Sequence, residues 1–298
     1  MFKTKQVATP SVEHRLQSIA AAVFGAGNPV SAKAVVEALD IAHLKFWHDN
    51  TVVSGLAHAV DENSLDDPDQ WTLLRDVAKT LAGVRLPGSP APRLLDYGCG
   101  VKADHRKNIE AMGFDWWGLE VGDSKDPGTG PKLAELAANP RVKLYDGGVV
   151  PFDGASFDVV FSNQSLEHVH DCDLAIREIA RVLRPGGVLV GSVSHLEPYH
   201  GFSTYNYTPY GFHVLCSRHG LRLERITPGF DALTYVTRVM LARLGQEGVD
   251  TMFAHFYEKP PLNQLIDDLC QQMGRSVREA NEMKLSMCAQ FRFLLRKG

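Results

Sequence analysis

The sequence predicts an α/β protein built on a doubly wound, mostly parallel β-sheet. The first observation is that short apolar segments alternate with helical patterns from Arg93 onward. The second is a glycine turn, Gly98 to Gly100, placed directly after the first apolar segment. Strands that alternate with helices usually pair in parallel and are covered by helices on both faces.

Composition excludes several classes of protein. Of the 298 residues, 44% are apolar and 22% are charged, which is typical of a globular protein with a sizeable core. The 31 basic and 35 acidic residues give a net charge of −4, which favours neither nucleic acid nor an anionic membrane as a partner. The 5 cysteines form no C-x-x-C pair, as is typical of reduced thiols. We therefore expect a cytoplasmic protein without a membrane segment.

Helical patterns precede the alternating region, over residues 1–84. Asp67 and Pro68 are typical of a helix start, and the apolar residues that follow them share one helical face. The proline- and glycine-rich residues 87–92 then form a short connector. The sequence thus predicts an N-terminal helical extension, 1–84, followed by a main domain, 93–298.

Short apolar segments predict the strands of the main domain in order. The predicted strands are 93–96, 116–121, 142–144, 157–162, 188–193, 221–227 and 288–295.

Helices are predicted between these strands from their start and stop residues. One helix spans 103–112, and two others begin after Asp171 and after Thr208, each of which can cap its helix. A helical insertion over about 231–286 separates the sixth strand from the last, and it contains the capping box Ser276 to Glu279.

The turn after the first strand, LDYGCG, has the composition of a ligand site. Its glycines let a ligand approach the backbone, and the next helix offers free N–H groups. A carboxylate at Asp96 would repel a pyrophosphate but suits a ligand that carries an ammonium and a sulfonium. S-adenosylmethionine (SAM) carries both and has no phosphate. We therefore predict SAM as the cofactor, bound by Asp96, Gly98, Cys99 and Gly100, with Lys102 or Arg106 placed to meet its carboxylate.

Two further acidic residues stand where parallel strands end. Glu120 ends the second strand, a position where an acidic side chain accepts hydrogen bonds from a ribose diol. Asp146 and Gly147 follow the third strand, so Asp146 is predicted to accept from the amine of adenine. Val121 is predicted to cover one face of the base.

Four segments carry a resemblance to a known family. LLDYGCG, GLEV, DGGVVPFDGASFDVVFSNQSLEHV and IREIARVLRPGGVLVGSV resemble, in order and spacing, the class I SAM-dependent methyltransferases. The resemblance runs from Arg93 to about Pro228 and implies a seven-stranded sheet with a reversed last strand. The site residues it implies are Asp96, Gly98 and Gly100 for the methionine part, Glu120 for the ribose, Asp146 for the adenine, and Asn163 and Gln164 beside the methionine.

The acceptor implied is a hydroxyl or an amine of a small polar molecule. For a hydroxyl, histidine is the obvious base, since its ordinary pKa is about 6.5. The candidates are His200 and His195 in the loop 194–211, and His168 after the fourth strand. Each also has a structural interpretation, because His168 lies in a segment that leads into a helix and the loop is rich in tyrosines that could pack as a lid. No metal-ligand spacing joins these histidines, so no metal site is predicted.

A finer resemblance, carried by GCGVK, LEHV and the EPYHG to YTPYGF region, is to methyltransferases of glycan and polysaccharide biosynthesis, and it implies a sugar as acceptor. Two alternatives stay open. An NAD-type dehydrogenase has a related fold, and Gly98-x-Gly100-x-x-Ala103 matches its fingerprint. A non-catalytic module would bind SAM without methyl transfer. The two helical zones could wrap the acceptor, pack as core or form a homodimer face.

Overall fold

The computed structural model describes most of the main domain and part of the chain before it. The described residues are His14, 56–62, 69–122, 130–197, 203–243, Gly245 and 260–298. The predicted extension is therefore described mainly in its last part. The predicted helix start at Asp67, the candidate base His200 and most of 244–259 lie outside the described residues.

Seven strands form one sheet in the described part of the chain. They are β1 (Arg93–Tyr97), β2 (Asp115–Val121), β3 (Val142–Tyr145), β4 (Phe157–Asn163), β5 (Leu183–Ser194), β6 (Leu221–Pro228) and β7 (Gln290–Lys297). Their order is β3-β2-β1-β4-β5-β7-β6. Strands β1 to β5 pair in parallel, whereas β7 pairs antiparallel with both β5 and β6. The predicted sheet with a reversed last strand is confirmed.

Helices lie on both faces of this sheet. They are α1 (Thr72–Val84), α2 (Arg106–Ala111), α3 (Gly130–Ala137), α4 (Cys172–Val182), α5 (Pro209–Arg218), α6 (Ala232–Arg243), α7 (Pro261–Gln272) and α8 (Val277–Met287). The last three belong to the region predicted as a helical insertion. Among the described residues, no helix combines the length and the apolar character that a bilayer crossing requires.

Several helices begin where their caps predict. Asp171 and Thr208 each accept a hydrogen bond from a backbone N–H of the first turn, at 2.9 and 3.0 Å. Ser276 and Glu279 form the predicted capping box at the start of α8. These side chains satisfy N–H groups that have no partner within the helix.

Two elements begin away from their predicted first residues, and one helix was not predicted. Helix α2 begins at Arg106 instead of residue 103, because Ala103 has a φ of 48°, which a helix cannot accommodate. Strand β5 begins at Leu183, directly after α4, because Leu183 pairs with Phe157 of β4 before an irregularity that precedes the pairing of Val188 with Val159. The helix that was not predicted is α3.

Two apolar cores flank the sheet. The α1-side core packs beneath α1, α2 and α3, and the α4-side core packs beneath α4, α5 and α8. Because strand side chains alternate between faces, the central strands β1, β2, β4, β5 and β7 contribute to both cores. Representative members are Leu74, Ile109, Trp116 and Phe161 in the α1-side core, and Tyr97, Ile179, Phe212 and Phe291 in the α4-side core.

The sheet has a topological switch point between β1 and β4. The chain leaves β1 through α2 on one face and leaves β4 through α4 on the other. In open α/β sheets, ligands bind in the crevice outside the carboxyl ends of the two strands at such a point. The turn after β1 and the residues after β4 therefore border the candidate site.

Candidate functional site

The turn between β1 and α2 is built on two glycines. Gly98 and Gly100 have φ values of 74° and 70°, in the left-handed region that favours glycine. A side chain on Gly98 would place Cβ 2.5 Å from Ser165 Oγ, so the turn packs closely on the segment after β4. The N–H of Gly98 donates to the carbonyl of Leu119 at 2.9 Å, which ties the turn to β2.

Asp96 is buried, whereas the sequence analysis placed its carboxylate at the mouth of the turn. The residue is 1% exposed, and Oδ2 accepts a hydrogen bond from Trp116 Nε1–H at 3.1 Å. Oδ1 receives no hydrogen bond from the described residues, and His105 Nδ1 lies 3.9 Å away. A buried carboxylate oxygen without a donor is costly, so a ligand N–H group would be stabilised here.

Glu120 holds the turn from the end of β2. Its Oε2 accepts from the N–H of Gly100 at 2.7 Å, and its Oε1 accepts from the N–H of Val121 at 3.0 Å. Burial raises the pKa of this carboxyl, the two backbone hydrogen bonds lower it, and the charge of Asp96 raises it further. The net effect is a raised pKa in a carboxylate that is positioned to accept from ligand hydroxyls.

Cys99 and Lys102 occupy different environments in the same turn. Cys99 is buried in the α1-side core, and its N–H donates to the carbonyl of Leu119 at 3.1 Å. Burial raises the pKa of its thiol, and the charges of Asp96 and Glu120 raise it further. Cys99 is therefore a packing residue and not an activated thiol. Lys102 is exposed at the surface of the turn.

Asp146 and Gly147 form a tight turn after β3. Asp146 Oδ1 accepts from the N–H of Gly148 at 2.9 Å, and Gly147 has a φ of 85°. Glu120 pairs in register with Leu144 of β3, which places this turn at the same edge of the sheet as Glu120. Asp146 is exposed there.

A chain of side-chain hydrogen bonds follows the carboxyl ends of β4 and β5. Asn163 Nδ2–H donates to Gln70 Oε1 at 3.1 Å, and Ser192 Oγ–H donates to Asn163 Oδ1 at 2.7 Å. The Gln164 amide lies 3.0 Å from Ser192 Oγ, and Gln164 has a φ of 52°. Left-handed backbone in a residue other than glycine is uncommon and often occurs at functional sites. The structure thus connects the predicted Asn163 and Gln164 with the residues before α1.

Ser194 extends this network to two buried glutamates that the sequence analysis missed. Ser194 Oγ lies 3.0 Å from Glu167 Oε1 and 2.7 Å from Glu197 Oε2. With its nitrogen turned toward the carboxylates, the Gln164 amide comes within 2.9 Å of Glu167 Oε1. A buried polar cluster therefore lies beside the crevice, at the ends of β4 and β5.

Strand pairing places most of these side chains on one face of the sheet. Because Asp96 pairs with Phe161, Asn163 shares the face of Asp96 two residues further along β4. Ser192 pairs with Asn163 and therefore points to the same side. Glu120 lies two residues beyond the β2 partner of Asp96 and also shares this face. The common face is that of the α1-side core.

The predicted catalytic histidines are not brought together among the described residues. The ring of His195 contacts Phe291 of the α4-side core, with 6.3 Å between the ring centroids. His195 Nδ1 lies 3.0 Å from the carbonyl oxygen of Tyr207, so Nδ1–H donates and Nε2 keeps its lone pair. Burial lowers the pKa of this ring. His168 ends a short 3-10 helix after β4, and His200 lies outside the described residues.

Three more residues of the site were not predicted as such: Gln70, Trp71 and His105. Trp71 stacks on Phe161, with 5.5 Å between centroids, and His105 meets Trp71 edge-on at 5.2 Å. The position of Trp71 on an apolar helical face indicated burial, but the surface it covers depends on tertiary packing. Nothing in the local sequence distinguished Gln70 or His105.

Known proteins share part of this chain. Residues 95–191, about a third of the chain, match the family model described as a methyltransferase domain. That range contains the glycine turn, Glu120, Asn163 and the buried Glu167.

Individual relatives agree with this match. The 27-O-demethylrifamycin SV methyltransferase of Amycolatopsis mediterranei is 34% identical over 43% of this chain and 47% of that protein. Methyltransferase GfsG of Streptomyces halstedii is 29% identical over 55% of this chain and 68% of that protein. An S-adenosylmethionine-dependent methyltransferase from Mesorhizobium loti, a solved structure, is 14% identical over 78% of this chain and all of that one, with a TM-score of 0.44. The chain spans about half the length of the rifamycin relative.

Proposed function

We propose that this chain, which matches a methyltransferase-domain model over residues 95–191 and has the sheet order of the class I fold, transfers the methyl group of SAM to a small polar acceptor. SAM is the cofactor of this class of enzyme. The observation that carries the proposal is a pair of carboxylates, Asp96 and Glu120, on one face of the sheet beside a glycine turn at the switch point.

The residues of the turn fit SAM better than a dinucleotide. Asp96 Oδ1 has no hydrogen-bond donor among the described residues, and it suits the ammonium of the methionine part. Glu120 suits the ribose diol, and Asp146 and Val121 lie at the same edge for the adenine. A diphosphate at the turn would be repelled by Asp96. This electrostatic argument, together with the family match, sets aside the dehydrogenase alternative.

The chain contributes to the reaction mainly through alignment. When bound, SAM supplies an electrophilic methyl group on its sulfonium. Asp96 would hold the ammonium end of the cofactor and Glu120 its ribose, and the hydrogen-bonded Asn163 and Gln164 would line the methionine side. A hydroxyl acceptor would give up its proton during the transfer, so a side chain able to receive that proton would be needed beside it. Holding the reacting atoms in line supplies most of the acceleration.

Histidines and a buried glutamate cluster are the candidates to receive the proton of a hydroxyl acceptor. His195 has an unprotonated Nε2, and its lowered pKa keeps it neutral near pH 7, but it packs against the α4-side core. The buried Glu197, bridged to Glu167 by Ser194, lies on the side of the cofactor residues. The glutamate cluster therefore joins His195, His168 and His200 as a candidate base.

A small molecule is the class of acceptor that the names of the relatives support. The rifamycin relative is named for O-methylation of a small molecule, and other relatives are named for sterols or a hydroquinone. A sugar acceptor, as the finer sequence resemblance implies, has no counterpart among these names. Sugars therefore remain among the acceptors to be looked for in the labelling experiment.

The decisive experiment is incubation of the protein with methyl-labelled SAM and a small-molecule cell extract, followed by mass spectrometry. We expect label in one small molecule with the wild type and at least tenfold less with Asp96→Asn. Glu110→Gln, which changes an exposed carboxylate on α2, is the matched control and should label like the wild type. Binding of S-adenosylhomocysteine without transfer to any acceptor would indicate a non-catalytic module. Binding of NAD and not of S-adenosylhomocysteine would indicate a dehydrogenase.

A further inference from the structure

We propose that His105 is a positioning residue that holds Asp96 ready for the ammonium group of the cofactor. The inference rests on the proposed function and names the residue that supports the cofactor's positive end. His105 stands at the N-cap position of α2, beyond the glycine turn, and its role follows from where its ring lies.

Two buried polar atoms face each other across a short gap. His105 Nδ1 and Asp96 Oδ1 both lack a hydrogen-bond partner among the described residues, and they lie 3.9 Å apart. This distance is too long for a hydrogen bond, but it lies within ion-pair range when the ring is protonated. Buried polar atoms are rarely left without a partner. The gap is therefore suited to closure by a small movement of the ring or by a ligand donor that reaches Oδ1.

The imidazole ring is held in place from two sides. It meets Trp71 edge-on, with 5.2 Å between centroids, and it meets Phe161 edge-on at 5.6 Å. Trp71 stands just before α1, and Phe161 lies in β4 as the strand partner of Asp96. Through these two ring contacts, His105 connects the start of α2 with the chain segment before α1 and with the central sheet.

Among the described residues around Asp96, His105 is the one with a polar atom placed to act on Oδ1. Trp116 Nε1–H is directed to Oδ2. The Arg106 guanidinium lies over the Trp116 ring at 5.2 Å and donates to Glu110 at 2.9 Å, so it is already engaged. The other titratable groups near Asp96 are the carboxyl of Glu120 and the thiol of Cys99, whose pKa values the charge of Asp96 raises.

This arrangement fixes the orientation of the carboxylate. Trp116 holds one oxygen, and His105 attracts the other toward the site where the ammonium would bind. Without a polar atom at the position of Nδ1, the carboxylate keeps one constraint and can turn about its Cβ–Cγ bond. The resulting loss of binding affinity should then be seen only for ligands that place a positive charge against Asp96.

The test compares two ligands by titration calorimetry. S-adenosylhomocysteine carries the ammonium group, whereas 5′-methylthioadenosine has the same nucleoside without it. We expect His105→Phe, which keeps an aromatic ring against Trp71 and Phe161, to weaken S-adenosylhomocysteine binding about tenfold, the effect of losing one polar interaction at a buried charge. Binding of methylthioadenosine should change less than about twofold. His105→Asn, which restores a polar atom near the position of Nδ1, should recover most of the lost affinity.

Other results would overturn the inference. Equal weakening of both ligands by His105→Phe, without recovery in His105→Asn, would show that the ring only packs. Unchanged binding of both ligands would show that His105 does not act on Asp96. If the wild type binds neither ligand, the proposed function itself fails, and this inference fails with it. His219→Asn, which changes a histidine paired with Asp173, is the control and should bind both ligands like the wild type.

Discussion

At the residue scale, Glu120 is the side chain on which affinity for the cofactor should depend most. Its two oxygens already accept from the N–H groups of Gly100 and Val121, so the carboxylate is fixed before a ribose diol arrives. We expect Glu120→Gln to weaken binding of S-adenosylhomocysteine about 10- to 100-fold, because hydrogen bonds to a charged acceptor contribute about 1.5–3 kcal/mol. Titration calorimetry measures this, and an affinity equal to that of the wild type would contradict the site.

The raised pKa of Glu120 gives this affinity a pH dependence. Since burial raises the pKa, the carboxylate becomes protonated at a higher pH than an ordinary glutamate, whose pKa is about 4.3. As the pH falls, affinity for S-adenosylhomocysteine should therefore begin to decrease above that value, and Glu120→Gln should lack this step. The folding stability of the free protein depends on pH in the opposite direction. Because the folded state binds the Glu120 proton more tightly than the unfolded state does, the contribution of Glu120 to stability is greatest at low pH. This contribution is lost as the pH rises through the raised pKa.

The chemistry of the turn could be predicted because it is local. Gly98, Gly100 and Asp96 stand within one short segment, and Glu120 ends the next strand. Pattern and spacing were therefore sufficient to predict that these residues lie close together. The partners of Asp96 could not be predicted in this way, because Trp116 and His105 reach it only after β1, β2 and α2 have packed. The contacts of Glu167 and Glu197 could not be predicted either, because the local sequence around them is typical of a helix start and a loop.

At the element scale, Glu178 attaches helix α4 to the loop before β4. It is 5% exposed, its Oε2 accepts from the N–H of Val150 at 3.0 Å, and Arg181 donates to the same oxygen at 2.7 Å. Arg181 also donates to the carbonyls of Val150 and Phe152 at 2.8 and 2.9 Å. The hydrogen bond from Arg181 is the main reason why the pKa of Glu178 is lowered. We expect Glu178→Gln to reduce the free energy of unfolding by about 1–3 kcal/mol at pH 7.

Urea denaturation over a range of pH checks this expectation. Because the folded-state pKa of Glu178 is lowered, the stabilisation is present above the unfolded pKa and is lost as the pH falls through the folded value. The difference between wild type and Glu178→Gln should therefore shrink in acid. Glu135→Gln, which changes an exposed glutamate on α3, should alter stability by less than about 0.5 kcal/mol. A pH-independent difference for Glu178→Gln would argue against the ionised contact.

The alternation of side chains along β5 shows which residues at its end face the cofactor side of the sheet. Ser192 and Ser194 share one face with Asn163, and His195 follows them on the other face. Counting this alternation from the buried residues of the strand would have separated His195 from the cofactor residues. The start of β5 was not predictable, because Pro185 and its neighbouring glycines are typical of a turn, and only the pairing of Leu183 with Phe157 places the strand start before them.

At the scale of the whole molecule, stability depends on how closely β4 and β5 approach in the centre of the sheet. A Cβ on Gly191 would lie 1.7 Å from the carbonyl oxygen of Ser162, which is backbone and cannot move without breaking the ladder. We expect Gly191→Ala to destabilise the protein by more than about 4 kcal/mol, or to prevent folding. Gly83→Ala is the matched change: it meets nothing within 4 Å in α1 and should stabilise by up to about 1 kcal/mol.

Chemical denaturation followed by circular dichroism distinguishes these two alanine variants. A stable Gly191→Ala variant would contradict the close approach of β4 and β5 at this position. The overall sheet was predictable from alternation and from the family resemblance, whereas this contact depends on backbone separation, which sequence patterns do not encode.

The antiparallel β7 has a consequence for how the protein is made. β5 and β6 are neighbours of β7 on either side and do not pair with each other, although β7 is synthesised last of the three. While the ribosome is still producing the insertion, β5 therefore presents an open edge and β6 has not joined the sheet. A nascent chain stalled before Gln290 should be vulnerable to protease and to chaperone capture, even with its cofactor turn complete.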